Sequence, residues 1–181
     1  IRHKLPKNCL RVLYHSFIFN NIYYCAEIYG RTSNTIIQPL QKVQNSSLRA
    51  LQFKDRYYPI NEMHKEYKIL KVTDIIEYKI QKLIHSILYS PSLIPEPLHS
   101  LVRPKRTFHR YQTRTNDHLY VEREKRSIGK YQLKCQPSDH WNKLPQVIRQ
   151  QPTHSQFKTA FYEWKLSGYH SSTLNFASLC S

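Results

Sequence analysis

Glycine is scarce in this chain of 181 residues, which contains only three glycines, at positions 30, 129 and 168. A loop that cradles phosphate groups needs closely spaced glycines, because its backbone must approach the ligand. This scarcity therefore excludes a nucleotide-binding loop of that kind. Ten prolines are present, so the turns of the fold must come mostly from proline, asparagine and serine.

Clustered acidic residues are missing as well. The four aspartates stand apart, and none of them is next to another acid. Two-metal phosphoryl transfer needs carboxylates that converge on the ions. Glu122 and Glu124 lie two positions apart, but Arg123, Lys125 and Arg126 surround them, which favours an exposed ion-pair cluster. We therefore expect no catalytic residues and no cofactor, and the chain should not be an enzyme on its own.

Cysteine is too sparse for a metal or disulfide framework. The four cysteines are far apart, and no C-x2-C pair occurs. Cys135 and His140 lie five positions apart without a second ligand pair nearby, so we predict no metal site. With no signal peptide in front of them, the cysteines are expected to be free thiols in a nuclear or cytoplasmic protein that is not secreted.

Long apolar runs are also absent, whereas positive charge is abundant. No stretch of 18 apolar residues exists, so we expect no membrane span. The chain has 28 basic and 12 acidic residues, a net charge of +16, and each half carries +8. An aromatic content of 13% excludes a wholly disordered chain. The charge points to a polyanionic partner, of which nucleic acid is the commonest, although it also serves solubility.

The apolar spacing predicts a mainly α fold, with a helical module at residues 1–90. One helical stretch covers residues 7–29, with a break or a cap at Asn20-Asn21 and an end at Gly30. A second apolar stripe runs from Ile36 through Leu40, Val43 and Leu48 to Leu51, with Lys42, Asn45 and Arg49 on the other face. The clearest helix lies at about 71–89, where apolar residues form a wide stripe.

A proline-rich segment at residues 91–104 predicts a hinge, because four prolines there remove backbone donors from any helix or central strand. Beyond it, residues 105–181 form a smaller, basic, partly irregular module. We expect this module to be α+β, with short strands at 119–121 and 131–133. A capping box of Thr153 and Gln156 begins its last helix, which ends at Gly168.

The segment 103–134 is a basic run interleaved with aromatic residues. It holds ten basic and three acidic residues, and Phe108 and Tyr111 stand among the arginines. Guanidinium groups bind phosphate oxygens, and aromatic rings stack on unpaired bases. The alternative is a solvated loop, and Arg103-Pro104-Lys105-Arg106 could equally be a nuclear-import signal. The predicted nucleic-acid contacts are Lys42, Arg49, Arg103, Lys105, Arg106, Arg110, Arg114, Lys125, Arg126 and Lys130.

Several segments resemble, in the right order, the region downstream of the palm in non-LTR retrotransposon (LINE, jockey-like) reverse transcriptases. The segments 13–18 and 22–30 are similar to L-Y-x-S-L-I followed by Y-G-x-E-x-W-G, with Tyr29 in place of the usual tryptophan. The segment 40–49 resembles L-x-x-x-Q-x-x-A-L-R, and 70–75 resembles L-x-L-x-D-L with Asp74 as its aspartate. Residues 111–114, 141–145 and 157–158 resemble Y-x-T-R, W-N-x-L-P and F-K.

This resemblance implies the thumb and C-terminal region of a reverse transcriptase without its catalytic palm. The F-A-D-D motif of the family is absent, so no catalytic residue carries over to this chain. The implied partners are RNA or an RNA/DNA duplex, gripped by a helical thumb, and the palm and fingers of a parent enzyme. The alternative is a structural or protein-interaction fragment of a decayed element, which would self-associate through exposed faces such as that of 71–89. An independent nuclease is the third and least favoured hypothesis.

Overall fold

A computed structural model describes residues 5–105, 118–121 and 136–169 of the chain. In this part the fold is mainly α-helical, which confirms the predicted class. The described residues contain no extended strand, and Pro104 and Leu119 form a single antiparallel bridge. Residues 131–133, where a second short strand was predicted, lie outside the described part. No described helix has both the length and the apolar character that a bilayer crossing requires.

Ten α-helices occur in the described residues, joined by one π-helical turn and one 3-10 turn. In chain order the α-helices are α1 (Lys7–Tyr14), α2 (Asn20–Tyr23), α3 (Ala26–Tyr29), α4 (Asn34–Gln52), α5 (Ile60–Glu66), α6 (Val72–Tyr89), α7 (Glu96–His99), α8 (Gln136–Lys143), α9 (Gln146–Arg149) and α10 (His154–Gly168). The π-helical turn spans His15–Phe19 and the 3-10 turn spans Pro91–Leu93.

The chain divides into two compact units. Unit 1 consists of residues 1–76 and 162–181, and unit 2 of residues 77–161. The division falls within α6 and within α10, so both long helices contribute to both units. The predicted hinge at 91–104 lies inside unit 2, and its role as a hinge stays a prediction.

The first helical stretch is interrupted at a different place from the predicted one. Asn20 and Asn21 lie in helical conformation, and the side-chain amide of Asn21 donates to the carbonyl of Phe17 at 2.6 Å. The break comes at Tyr24 and Cys25, where Tyr24 is extended and Cys25 adopts the left-handed conformation with φ 50°. The prediction of a break at the two asparagines was wrong, because a helix can satisfy an asparagine side chain through a carbonyl one turn back.

Gly30 follows α3, as predicted, but the reason for a glycine there is packing. Its φ is −66°, within the right-handed region that any residue can adopt. A Cβ atom at this position would overlap the side chain of Ile76 and the carbonyl of Ala26. A substitution at Gly30 would therefore force apart α3 and the first part of α6.

The sequence predicted where α4 and α6 lie along the chain. It did not predict which side chains of α4 are buried. In α4 the residues Ile36 and Val43 are exposed, whereas Asn45, expected on the polar face, is buried. The side chains that α4 buries are Ile37, Gln44, Asn45, Leu48, Leu51 and Gln52. Half of this set is polar, which the apolar pattern alone could not reveal. In α6, by contrast, Val72, Ile76, Ile80, Ile84 and Ile87 are all buried as expected.

Polar side chains of α4 organise the segment that leads into α6. Gln44 donates to the carbonyl of Leu70 at 2.9 Å and to the hydroxyl of Tyr14 at 3.2 Å. Gln41 accepts the backbone N–H of Val72 at 2.8 Å, and this bond satisfies one of the orphan donors at the start of α6. These contacts attach α1 and the start of α6 to the same face of α4.

His64 of α5 belongs to the same polar network. Its Nδ1 lies 2.9 Å from the carbonyl of Ile69, and its Nε2 lies 3.2 Å from Oδ1 of Asn45. Burial lowers the pKa of His64 to about 4, because the charged imidazolium would lose its hydration. The ring is therefore neutral at pH 7, and it connects α4, α5 and the loop that follows α5.

The end of α10 is attached to the start of α6 through a partly buried ion pair. Lys165 Nζ lies 3.2 Å from Asp74 Oδ1, and the two side chains are only 17% and 14% exposed. The hydroxyl of Tyr169 donates to the other oxygen of Asp74 and accepts the backbone N–H of Lys71 at 3.1 Å. All four residues belong to unit 1. Asp74 and Tyr169 are 95 positions apart, so this contact joins the two chain segments that make up the unit.

Unit 2 is built on an aromatic core. Phe157 is fully buried, with its ring centroid 4.6 Å from that of His85 and 5.9 Å from that of Trp141. Phe161 packs at 6.0 Å from Phe157 and 5.5 Å from Tyr78. Such offset and tilted ring pairs add to the stabilisation that burial alone provides.

The segment resembling W-N-x-L-P has a structural role in unit 2. Trp141 and Leu144 are buried, and Pro145 directly precedes α9. The side chain of Asn142 accepts the N–H of Leu119 at 2.8 Å and donates to the carbonyl of Leu119 at 2.9 Å. One asparagine thus satisfies both backbone groups of a residue 23 positions earlier, and this fixes segment 118–121 on α8.

The structure confirms the hydrogen bond of the capping box in which the Thr153 side chain accepts a backbone N–H of α10. The N–H of Gln156 donates to Thr153 Oγ1 at 3.4 Å, and the helix ends at Gly168 as predicted. The Gln156 side chain pairs with the Thr153 hydroxyl at 2.8 Å. The box therefore closes through the two side chains.

The proline-rich segment is more helical than predicted. A 3-10 turn begins at Pro91, and α7 contains Pro97 in its first turn. The expectation that no helix survives there was wrong, because a proline in the first turn removes only an N–H that has no partner within the helix.

Two fully buried glutamines provide a matched test of the polar core. Gln44 is fully hydrogen-bonded, whereas neither side-chain polar atom of Gln81 has a partner among the described residues. We expect Gln81→Met to raise the free energy of unfolding by about 1 kcal/mol, and Gln44→Met to lower it by about 1–3 kcal/mol. Urea unfolding of both variants measures this difference. Destabilisation by Gln81→Met as large as that by Gln44→Met would show that the Gln81 amide is hydrogen-bonded.

Candidate nucleic-acid interface

The structure describes four of the ten predicted nucleic-acid contacts and places them in different units. Lys42 and Arg49 belong to unit 1, and Arg103 and Lys105 to unit 2. The remaining predicted contacts lie outside the described residues: Arg106, Arg110, Arg114, Lys125, Arg126 and Lys130. The candidate interface is therefore built here from unit 1, where two predicted cations share one helix.

Lys42 and Arg49 project from one flank of α4. They are seven positions apart, which is nearly two helical turns, so their side chains point in almost the same direction about 10 Å apart along the axis. One strand of a duplex carries a phosphate about every 3.4 Å of axis, so the pair spans roughly three phosphates. Lys42 is exposed and Arg49 half-buried.

The hydrogen-bonded face of α4, which begins next to this flank, fixes the direction of the flank. Gln44, Asn45 and Gln52 are hydrogen-bonded to the loop after α5, to His64 and to the carbonyl of Met63. These bonds set the rotation of α4 about its axis, and therefore the direction in which Lys42 and Arg49 leave the helix. The Nε atom of Arg49 is buried with no hydrogen-bond partner among the described residues.

The loop after α4 carries further basic and aromatic residues on the same unit. Phe53 ends the helix in the left-handed conformation with φ 55°, and the N–H of Lys54 donates to the carbonyl of Arg49 at 3.2 Å. The N–H of Tyr58 donates to the carbonyl of Asp55 at 3.2 Å, which closes a β-turn. Arg56 and Tyr57 are the two central residues of that turn, and both are exposed.

Contacts of its flanking residues hold this turn in place. Lys54 Nζ lies 4.2 Å from the ring centroid of Tyr58 and 3.6 Å from the carboxylate of Glu66 on α5. The N–H of Arg56 donates to the Asp55 carboxylate at 2.6 Å. The turn therefore presents Arg56 and Tyr57 from a structured connection between α4 and α5.

In unit 2, Arg103 and Lys105 flank the bridge residue Pro104. The carbonyl of Arg103 accepts the N–H of Tyr120 at 2.7 Å, and the N–H of Lys105 donates to the carbonyl of His118 at 3.0 Å. These backbone bonds hold the first part of the predicted basic run against segment 118–121. The side chain of Arg103 is exposed.

Of the two possible metal ligands considered in the sequence, Cys135 and His140, the structure describes only His140. Cys135 lies outside the described residues, and His140 Nδ1 lies 4.0 Å from the carboxylate of Glu77. Within the described part of the chain, no three histidine, cysteine or acidic side chains converge on a possible ion position.

Unit 1 also carries an apolar groove. It has a volume of about 290 Å³ and lies between the first helical stretch and α4. Leu13 and Phe17 on its wall are 41% and 66% exposed. The lining residues are Leu10, Leu13, Tyr14, Phe17, Ile18, Ser47, Ala50 and Leu51. By contrast, most of the apolar stripe of α6 is buried, whereas Leu88 and Tyr89 near its end are 37% and 41% exposed, and self-association through this helix stays a prediction.

Sequence reasoning overlooked the exposed turn. The sequence predicts that Tyr57-Tyr58-Pro59 ends the second helix, because a residue before proline is pushed out of the helical region, but α4 already ends at Gln52. The adjacent arginine and tyrosine at positions 56 and 57, in the short connection between two helices, were the sequence signal for a nucleic-acid contact. The polar network around Gln41, Asn45 and His64 had no signal in the sequence, since none of these residues stands in a recognisable motif.

Comparisons with known proteins identified no relative of this chain. No protein-family model, no curated protein sequence and no solved structure matches the chain.

Proposed function

We propose that this protein is a non-catalytic nucleic-acid-binding fragment that resembles the thumb and C-terminal region of a non-LTR retrotransposon reverse transcriptase. It binds RNA or an RNA/DNA duplex through phosphate contacts. The observation that carries the proposal is the pair of cations on the oriented flank of α4, in a protein of net charge +16. Long-range attraction of this strength favours polyanions regardless of their sequence.

The residues that carry the resemblance support the proposal through their structural roles. Tyr14, Gln44 and Asp74 stand in the polar contacts that assemble unit 1. Trp141 and Phe157 form part of the core of unit 2. Residues of this kind specify a fold, so the resemblance concerns the architecture of a thumb-like element. A β element at 119–121 and 131–133, a hinge at 91–104 and a nuclear or cytoplasmic location belong to the same proposal.

Salt-dependent binding tests this function directly. With a labelled RNA/DNA hybrid, we expect the affinity to fall roughly tenfold or more between 50 and 200 mM salt, because several phosphate contacts release counterions. Fluorescence anisotropy at a series of salt concentrations measures the slope. Binding that is independent of salt, or no binding at low salt, would refute the proposal.

Matched variants locate the binding surface. Lys42→Gln combined with Arg49→Gln should reduce the slope of log affinity against log salt by roughly two, one for each lost phosphate contact. Lys7→Gln, at the exposed first residue of α1, removes one positive charge away from α4 and should leave the slope nearly unchanged. Circular dichroism confirms that each variant keeps its helical content. If each lost charge lowered the slope equally in the α4 double variant and in the Lys7→Gln control, α4 would have no special role in binding.

The apolar groove of unit 1 favours a second candidate, an interaction fragment without a nucleic-acid role. Exposed Leu13 and Phe17 could bury their surface against a second copy of the chain. Sedimentation at several protein concentrations distinguishes the two functions. Concentration-dependent dimerisation that Phe17→Ser abolishes, without nucleic-acid binding, would favour this candidate.

A further inference from the structure

We infer that the turn Asp55–Tyr58 is a binding site for an unpaired nucleotide, with the Tyr57 ring stacked on the base and the Arg56 guanidinium on a phosphate. This inference rests on the proposed function, and it adds a substrate class to it: single-stranded nucleic acid, or the unpaired end of a duplex. The carrying observation is that an exposed tyrosine and an exposed arginine are the two consecutive central residues of one hydrogen-bonded turn.

A lone exposed tyrosine would need no explanation, since single apolar side chains are common on protein surfaces. Tyr57 differs in its degree of exposure and in its support. It is 88% exposed, the highest value among the exposed large apolar and aromatic residues of the described chain. Its turn is closed by the bond from Tyr58 N–H to the Asp55 carbonyl, and the preceding helix is capped by Lys54 N–H. Because the backbone of this turn is already ordered, binding has to order only the Tyr57 side chain, which lowers the entropic cost.

The charges around the turn favour a nucleotide over a purely apolar ligand. Lys54 is already engaged with Tyr58 and Glu66, and Asp55 accepts the Arg56 backbone N–H. Arg56, which directly precedes Tyr57 in the turn and is exposed, is thus the basic residue adjacent to Tyr57 in the chain. An aromatic face and a phosphate-binding cation side by side are the two groups by which proteins hold single-stranded nucleic acid without sequence preference.

Tyr24 provides a control within the same unit. It is 77% exposed, but its neighbours along the chain are Tyr23 and Cys25, with no basic residue beside it. If exposure alone allowed stacking, Tyr24 and Tyr57 would contribute equally. If the turn and Arg56 matter, Tyr57 alone should contribute.

The experiment uses the full chain with a labelled single-stranded RNA and a blunt-ended duplex, compared by fluorescence anisotropy. Tyr57→Ala should weaken single-strand binding roughly tenfold, because a base–aromatic stack is lost. The salt slope should not change, since the lost contact is uncharged. Tyr57→Phe and Tyr24→Ala should bind like the original chain, and the blunt duplex should bind Tyr57→Ala unchanged. Arg56→Gln should reduce the salt slope by roughly one.

The outcomes separate this inference from the function on which it rests. If Tyr57→Ala binds single-stranded RNA as well as the original chain, while the Lys42 and Arg49 variant still binds more weakly, the nucleotide site is overturned and the proposed function stands. If Tyr57→Ala and Tyr24→Ala weaken binding equally, the specific site is overturned. If the original chain shows no salt-sensitive binding, both proposals fail.

Discussion

Replacing Asp74 with alanine should lower the free energy of unfolding by about 2–4 kcal/mol, because it leaves the partly buried charge of Lys165 without the Asp74 carboxylate. The ion pair has an N–O distance of 3.2 Å, and both side chains are less than one-fifth exposed. The Tyr169 hydroxyl would lose its acceptor at the same time. Urea unfolding followed by far-ultraviolet circular dichroism measures the effect.

Two companion variants identify the cause of this loss. Asp74→Asn retains an acceptor for Tyr169 but removes the charge, so it should still destabilise the protein, by less than alanine does. Asp74→Leu combined with Lys165→Met removes both charges, and an apolar replacement of a buried ion pair is often nearly neutral. We expect this double variant to recover most of the stability. A double variant as unstable as Asp74→Ala would show that the Tyr169 and Lys71 contacts, rather than the unpaired charge, dominate.

Replacing Phe157 with alanine should also lower the free energy of unfolding by about 3–5 kcal/mol, because a fully buried aromatic side chain leaves a cavity. Three aromatic partners, His85, Trp141 and Phe161, would each lose a packed ring. Tryptophan fluorescence is a suitable probe, since Trp141 is 2% exposed and contacts the changed position.

Substitutions of graded size test the packing argument. Phe157→Leu preserves part of the volume and should cost clearly less than alanine. Phe17→Ala changes the same residue type at a position that is 66% exposed, and we expect an effect within about 0.5 kcal/mol. Comparable losses for the alanine variants at positions 17 and 157 would contradict the assignment of Phe157 to the core.

The positions of the long helices could be predicted from the sequence, because helical periodicity is a local property. The helix predicted at 71–89 spans Val72–Tyr89, and the helix after Thr153 ends at Gly168 as expected. The interruption at Cys25 escaped prediction, since a left-handed conformation of a cysteine has no signature in the sequence. The candidate site was predicted in part: Lys42 and Arg49 were named, whereas Arg56 and Tyr57 were not.

Burial of polar residues could not be predicted, because it depends on partners far away in the chain. Gln44 is buried because Leu70 and Tyr14, 26 and 30 positions away, supply its hydrogen-bond partners. Nothing in the neighbourhood of Gln44 distinguishes it from an exposed glutamine. The same holds for His64, whose buried ring finds a hydrogen-bond partner in Asn45, 19 positions earlier.

The sequence by itself determined the helical class, the positions of the long helices and the strong positive charge, because periodicity and charge are read directly from consecutive residues. It also excluded phosphate-cradling loops and adjacent acidic pairs through its few glycines and scattered aspartates. The tertiary structure alone decided which polar groups lie in the core, where Lys42 and Arg49 point, and that Arg56 and Tyr57 share one exposed turn. These features arise when residues distant in sequence satisfy one another's hydrogen bonds and charges.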